Sequence, residues 1–199
     1  MIAAEDCTLI LLAAGRSTRF GADDKLEADL DGRPVGVHIA DTLAGVAFRD
    51  RIAIVGNGRL DYAARGYRVV RNPAPERGLS SSIRLAVAEA RDTAAVLIVL
   101  ADMPRVTADH IRRLLDAAND PDAVIVSSDG TLPSPPALFG QAHFDHLLAL
   151  EGDAGARQLV ATGLRVQTTP LELADIDTPG QLTALSKSSP SSAWRDRPW

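Results

Sequence analysis

Along the chain, apolar side chains gather into short unbroken runs instead of alternating with polar ones. Residues 8–12, 51–55, 67–71, 94–100 and 123–126 are such runs, rich in Val, Ile and Leu. A strand of this kind is buried on both faces, which predicts a parallel sheet covered by helices on each side. Between the runs, residues 35–44, 79–90 and 108–118 carry helical patterns, the last following Thr107 as an N-cap. Shorter helices are expected at 141–150 and 155–161, a weak strand at 164–168 and a last helix at 179–185. The order β-α-β-α predicts one three-layer α/β/α domain, a Rossmann-like, mostly parallel, doubly wound sheet over residues 1–185.

After residue 185 the chain changes to serine, proline and charge, SKSSPSSAWRDRPW, and a disordered tail is expected over 186–199. In that setting Trp194 and Trp199 read as side chains that bury little. No internal repeat is visible.

Composition narrows the function. At 199 residues, 46% hydrophobic and only 4% aromatic, the chain supports one aliphatic core. A formal net charge of -5 argues against a nucleic-acid backbone as the main partner. No apolar run has membrane-spanning length, and the first seven residues are not a basic leader, so a cytoplasmic protein with no membrane partner is expected. The single Cys7 reads as a small buried thiol.

Against this acidic background one segment is locally cationic. LLAAGRSTRFGADDK, residues 11–25, runs from an apolar strand into a loop punctuated by Gly15 and Gly21, with Arg16, Arg19 and Lys25. Glycines let main-chain N–H groups approach an anion, and the cations add charge, a combination suited to a polyphosphate. It is not a P-loop, because five residues separate the glycines and the lysine comes four later. The G-x-G-x-x-G dinucleotide turn is absent as well, which removes a dehydrogenase reading. What remains, L-x-A-G-x-S-x-R-x-G followed by lysine, resembles the signature of the nucleoside triphosphate transferases.

Topology brings a carboxylate to that loop. In a doubly wound sheet the ligand lies beyond the carboxyl ends of the strands, where strand order reverses. If 94–100 neighbours 8–12, Asp102 in LADMPRVT emerges beside the cations, where one or two carboxylates plus phosphate oxygens suit Mg²⁺. Asp175 and Asp177 in ADIDTPGQL offer a second carboxylate; Asp177 is preferred, and one of the two can serve as the cap of the last helix. His143 and His146 read as a solvated helix face, His38 and His110 as isolated, and Asp23 and Asp24 as a loop edge.

Taken together, LLAAGRSTRFGADDK, NPAPERGLSSSI, LADMPRVT, PALF, EGDAGAR and DIDTP resemble the molybdopterin nucleotidyltransferases, and the similarity spans nearly everything before the tail. LAAG in the first loop together with RGLSSS resembles the cytidylyltransferase branch, which uses CTP. The resemblance implies a nucleotide-diphospho-sugar transferase type of fold. It implies that Leu12, Ala13, Ala14, Gly15 and Arg16, with Ser80, Ser81 and Ser82, frame the nucleotide, and that Arg19 and Lys25 meet the triphosphate. It further implies magnesium on Asp102, beside which Asp177 is the candidate second ligand, and an acceptor side holding Asp153 and Arg157. The family usually has glycine and then His or Asn before PxLF, whereas this chain has Ser134 and Pro135.

The implied reaction is attack by the terminal phosphate of molybdopterin on the α-phosphorus of CTP, releasing pyrophosphate, with the product passing to a molybdenum hydroxylase. Two rival readings use the same first half of the chain. One is a transferase that acts on a sugar phosphate or small alcohol phosphate; the other is a non-catalytic nucleotide-binding module that delivers the cofactor to a hydroxylase.

Overall fold

The structure, a computed structural model, describes residues 2–15, 20, 24–90, 92–151 and 160–187. Seven strands form the main sheet: β1 (Cys7–Ala13), β4 (Asp50–Val55), β5 (Arg68–Arg71), β6 (Ala95–Leu100), β7 (Val124–Ser128), β8 (Pro133–Gly140) and β9 (Leu164–Gln167). Two shorter strands, β2 (Asp29–Leu30) and β3 (Arg33–Pro34), make a separate hairpin. Across the main sheet the order is β5-β4-β1-β6-β8-β7-β9. Only β8 runs against its neighbours, and it pairs antiparallel with both β6 and β7.

The unbroken apolar runs have the expected cause. Every residue of β1 is buried. Leu9 and Leu11 pack with α1 (His38–Thr42) and α3 (Ala108–Ala117) through Ile39, Leu43, Ile111 and Leu114. Ile10 and Leu12 face the other way, onto α2 (Leu79–Glu89) and α4 (Phe144–Leu148) through Ile83, Val87 and Leu147. Alternate side chains thus enter two cores on opposite faces of one sheet. The last helix, α5 (Pro179–Lys187), adds Leu185 to the first core.

Most expected boundaries hold within a residue or two. The helix expected over 35–44 is shorter, a 3₁₀ turn at Val35–Val37 leading into α1, and 141–150 likewise resolves into a 3₁₀ turn at Gln141–His143 followed by α4. Thr107 caps α3 as expected, its hydroxyl accepting from the His110 N–H at 3.1 Å. Ser186 and Lys187, expected in the tail, are the last residues of α5. The rest of the tail, and most of the helix expected at 155–161, lie outside the described residues.

Two elements are additions. The hairpin turns at Asp31 and Gly32, both at positive φ (54° and 82°), the left-handed pair that a two-residue hairpin of this hand requires. β8 was legible only as the PALF motif, since Pro133, Pro135 and Pro136 argue against a strand. Its pairing with β6 runs from Ile98↔Ala137 to Ala95↔Gly140 and stops before the prolines; Pro133 pairs with Ser128 of β7, and Pro135 and Pro136 fall in the register shift at Val126/Ser127. No helix among the described residues is long and apolar enough to cross a membrane.

The isolated histidines are core residues. His110 is fully buried, and its Nδ1 faces the Arg113 guanidinium at 3.1 Å. Arginine only donates, so Nδ1 accepts and the ring hydrogen sits on Nε2, 2.7 Å from Ser127 Oγ. Ser127 in turn donates to the Pro136 carbonyl at 2.7 Å. His38 repeats the arrangement, with Arg33 at 3.3 Å on Nδ1 and the Leu30 carbonyl at 2.9 Å on Nε2. Burial holds both imidazoles below the ordinary histidine range. Cys7 is a buried thiol, pushed up to about 12 by burial.

Candidate functional site

β1 has β4 on one side and β6 on the other, both parallel to it. The chain therefore winds outward through β4 and β5, then returns to start again at β6, which makes the gap beyond β1 and β6 the switch point. In that gap Ala101 N–H donates to the Leu12 carbonyl at 3.1 Å, which ties the segment carrying Asp102 to the end of β1. Ile176 N–H donates to the Asp102 carbonyl at 3.0 Å and brings in the segment with Asp177.

Three side chains meet there. Lys25 Nζ donates to Asp102 Oδ2 at 2.6 Å and to Asp177 Oδ1 at 2.9 Å. Their separations in sequence are 77 and 152 residues, so only the fold unites them. The Lys25 side chain is 11% exposed, Asp102 17% and Asp177 34%. Burial pulls the lysine down, but the two carboxylates outweigh it and hold the ammonium above its ordinary value. Asp175, on the exposed side of the same segment, is raised by partial desolvation and then by the carboxylates of Asp177 and Asp102. Asp177 is thus the member of the pair that joins the cluster. The cap of α5 is Thr178 instead of either aspartate, its hydroxyl accepting from the Gln181 N–H at 3.3 Å.

All three side chains belong to residues that line a cavity of about 800 Å³. Leu12, Ala13, Ala14 and Gly15 line it near the lysine, joined by Glu76, Gly78 and Ser82 from the start of α2. Its far part is apolar, formed by Leu132, Pro135, Ala137 and Phe139 with Leu147 and Val160. Leu12, Ile98, Ala137 and Phe139 belong both to the cavity lining and to the second core, so the cavity opens on that face of β1, β6 and β8.

The serines need correcting. Ser82 lines the cavity, but Ser80 and Ser81 do not. All three are buried, and the Ser81 hydroxyl is spent on the Gly78 carbonyl at 2.9 Å and the Ala74 carbonyl at 3.2 Å. None of them caps α2; Gly78 stands at the cap at φ 83°, ψ -172°, a conformation open to glycine. Arg16, Arg19, Asp153 and Arg157 lie outside the described residues. Missed by sequence reasoning was Asn72, buried beneath Ser81 and Ser82. The NPAPERGLSSSI motif contained it, but nothing in a motif says which way an amide points.

One observation bears on a metal. Asp102 Oδ1 is buried with no hydrogen-bond partner, while Oδ2 is taken by Lys25. A buried carboxylate oxygen without a donor is costly, and a hard cation is one group that would satisfy it. Among the described residues no group of three or more His, Cys, Asp and Glu could hold a metal ion. Asp102 and Asp177 alone would leave most positions around such an ion to water or phosphate.

The family profile of the MobA-like NTP transferase domain matches residues 9–168, a span that includes the switch point, Lys25 and Asp102. The chain belongs to the MobA-like NTP transferase domain family. The purine catabolism protein PucB of Bacillus subtilis is 30% identical over 190 residues, covering 85% of this chain and 91% of that protein. A molybdenum cofactor guanylyltransferase of Burkholderia vietnamiensis is 33% identical over 180 residues, covering 84% and 86%. Among solved structures, a nucleotidyl transferase from Methanothermobacter thermautotroptrophicus superposes with a TM-score of 0.78 at 22% identity, covering 91% of this chain and 96% of that one. The mostly parallel seven-stranded sheet is therefore the nucleotidyltransferase fold, and this MobA-like domain is a nucleotidyltransferase by family.

Proposed function

We propose that the protein moves CMP from CTP to the terminal phosphate of molybdopterin and releases pyrophosphate. The observation that carries the reading is Lys25 held between Asp102 and Asp177 in the cavity that Leu12 to Gly15 also line. The acceptor phosphate, with a second pKa of about 6, is mostly dianionic at neutral pH and attacks the α-phosphorus without a protein base. One P–O bond forms, the α–β bridge breaks, and the electron pair leaves on pyrophosphate. The protein's part is positioning and neutralisation of charge. Magnesium, when bound at Asp102 and Asp177, supplies further neutralisation of the phosphate oxygens. Lys25, with Arg19 from the same loop, stabilises charge on the leaving group. Asp153 and Arg157 are assigned to the acceptor, and a molybdenum hydroxylase is the expected recipient of the product.

CTP is named from the resemblance of LAAG and RGLSSS to the cytidylyltransferase branch, and Ala14 and Ser82 of those two motifs both line the cavity. GTP is the second reading, favoured by the guanylyltransferase relative. Incubation with magnesium, molybdopterin and either triphosphate, followed by mass spectrometry of the product, tests both substrates. A cytidine-linked pterin with stoichiometric pyrophosphate is expected. A guanosine-linked pterin transfers the assignment to GTP, and turnover with a sugar 1-phosphate alone overturns the acceptor.

A further inference from the structure

Behind Ser82, which lines the cavity, Asn72 is 5% exposed and spends its main-chain N–H and both ends of its side-chain amide on the protein. Its main-chain N–H donates to the Val55 carbonyl at the end of β4, 2.9 Å away. Its side-chain oxygen accepts from the Ala74 N–H at 2.9 Å, and since that N–H can only donate, the orientation of the amide is settled by chemistry. The amide nitrogen must then face α2, and its two hydrogens go to Ser81 Oγ and Ser82 Oγ, each at 2.9 Å.

The two serines differ in what happens next. Ser81 passes its own hydrogen to the Gly78 and Ala74 carbonyls, closing the chain of bonds inside the protein. Ser82 accepts from Asn72 in the same way, but among the described residues no protein acceptor takes its hydrogen, and Ser82 lines the cavity. With one lone pair taken by Asn72, the Ser82 hydroxyl keeps one further lone pair and a hydrogen that no described protein group takes, and that hydrogen is what it has left to donate to a ligand in the cavity.

Resting on the nucleotidyltransferase reading, we infer that Asn72 is a positioning residue that makes Ser82 a hydrogen-bond donor toward the nucleotide, so that the site selects bases presenting a carbonyl oxygen or unprotonated ring nitrogen at that point. Asn72 touches no substrate; it acts through the direction of one hydroxyl. A site that commits a buried donor discriminates strongly, because a ligand group that cannot accept leaves the donor unpaired.

Asn72→Asp tests this with almost no change of shape. The aspartate still accepts from Ala74, but its second oxygen now draws the Ser82 hydrogen inward and turns a lone pair toward the ligand. Calorimetric titration with magnesium and CTP, in the absence of acceptor, should show affinity about tenfold weaker or more. In steady state the KM for CTP should rise by a similar factor while kcat holds. Placed on Ser82→Ala, the same change should have no further effect on affinity, even though it still lowers the melting temperature.

Ser82→Ala alone should also weaken CTP about tenfold, and Ser82→Thr should restore it. These two variants keep the inference open to refutation should Asn72→Asp not fold. Equal loss on Asn72→Asp with and without the Ser82 hydroxyl, or wild-type affinity in Ser82→Ala, overturns the inference and leaves the functional reading standing. A wild-type protein that binds neither CTP nor GTP overturns both.

Discussion

Two buried polar clusters lie on the two sides of β6, and they differ in one respect. His110, Ser127 and the Pro136 carbonyl form a closed chain in which every hydrogen has an acceptor. Lys25, Asp102 and Asp177 form an open one: two carboxylates share one ammonium, and Asp102 Oδ1 has no donor. The closed chain joins α3 to β7 and β8 out of reach of solvent, while the open one faces the cavity. Satisfied buried polar groups hold a structure in one arrangement, whereas an unsatisfied one that also lines a cavity leaves an atom for water, an ion or a ligand to satisfy. The type of residue does not separate the two clusters; the unspent hydrogen-bonding capacity does.

The comparison breaks if the clusters exchange roles under mutation. Asp102→Asn should lower turnover by about 10²- to 10³-fold, because it removes a carboxylate that would hold magnesium and that positions Lys25. Its unfolding free energy should move by only about 1–2 kcal/mol, since Asp177 still pairs with Lys25. His110→Ala should do the reverse, costing about 2–4 kcal/mol by leaving a cavity and unpaired groups, with kcat per folded molecule unchanged. Chemical denaturation beside a pyrophosphate-release assay reads both, and loss of turnover in His110→Ala at full folding would erase the distinction.

Acid sharpens the same contrast. His110 and His38 are held below the ordinary value of 6.5, so the folded state favours the neutral rings. Their contribution is fully present above that value and is lost as pH falls below it, toward their folded-state values, because the unfolded chain takes up protons first. The slope is at most about 1.4 kcal/mol per pH unit for each ring. Urea midpoints measured between pH 7.5 and 5 should fall, and less steeply in His110→Phe.

A smaller effect concerns accessibility. The chain has two lysines, and Lys187 ends α5 in the open while Lys25 is 11% exposed and held by two carboxylates. Reductive methylation read by peptide mass should therefore modify Lys187 first, and Asp102→Asn should speed the labelling of Lys25. Equal rates at the two lysines in the wild type would mean that the cluster does not hold. Smallest of all, Cys7 should resist iodoacetamide at pH 8 until the protein unfolds, its thiol being buried and raised to about 12.

Much of this was legible in the residues. Uninterrupted Val-Ile-Leu runs in β1, β4 and β6 required cover on both faces, and glycine and lysine after the first strand pointed to a polyphosphate. Asp102 was found because an acid directly following an apolar strand can only emerge at the strand's end. The hairpin at Asp31 and Gly32 carried its own signal, an Asp-Gly pair. By contrast, β8 was hidden by its prolines, whose cost depends on whether a neighbouring strand needs their missing N–H groups. The pairing of β6 with β8 ends at Ile98↔Ala137, before the prolines are reached, so here β6 does not.

Local chemistry along the chain determined which segments are buried, where each turns and which residues can carry charge, because these depend on a side chain and its few neighbours. Tertiary structure alone decided which charges meet, that Ser82 and not Ser80 or Ser81 reaches the cavity, and which histidines are sealed. Those outcomes depend on contacts across as many as 152 residues and on the direction of single hydrogens. Neither is encoded in any stretch of chain short enough to read.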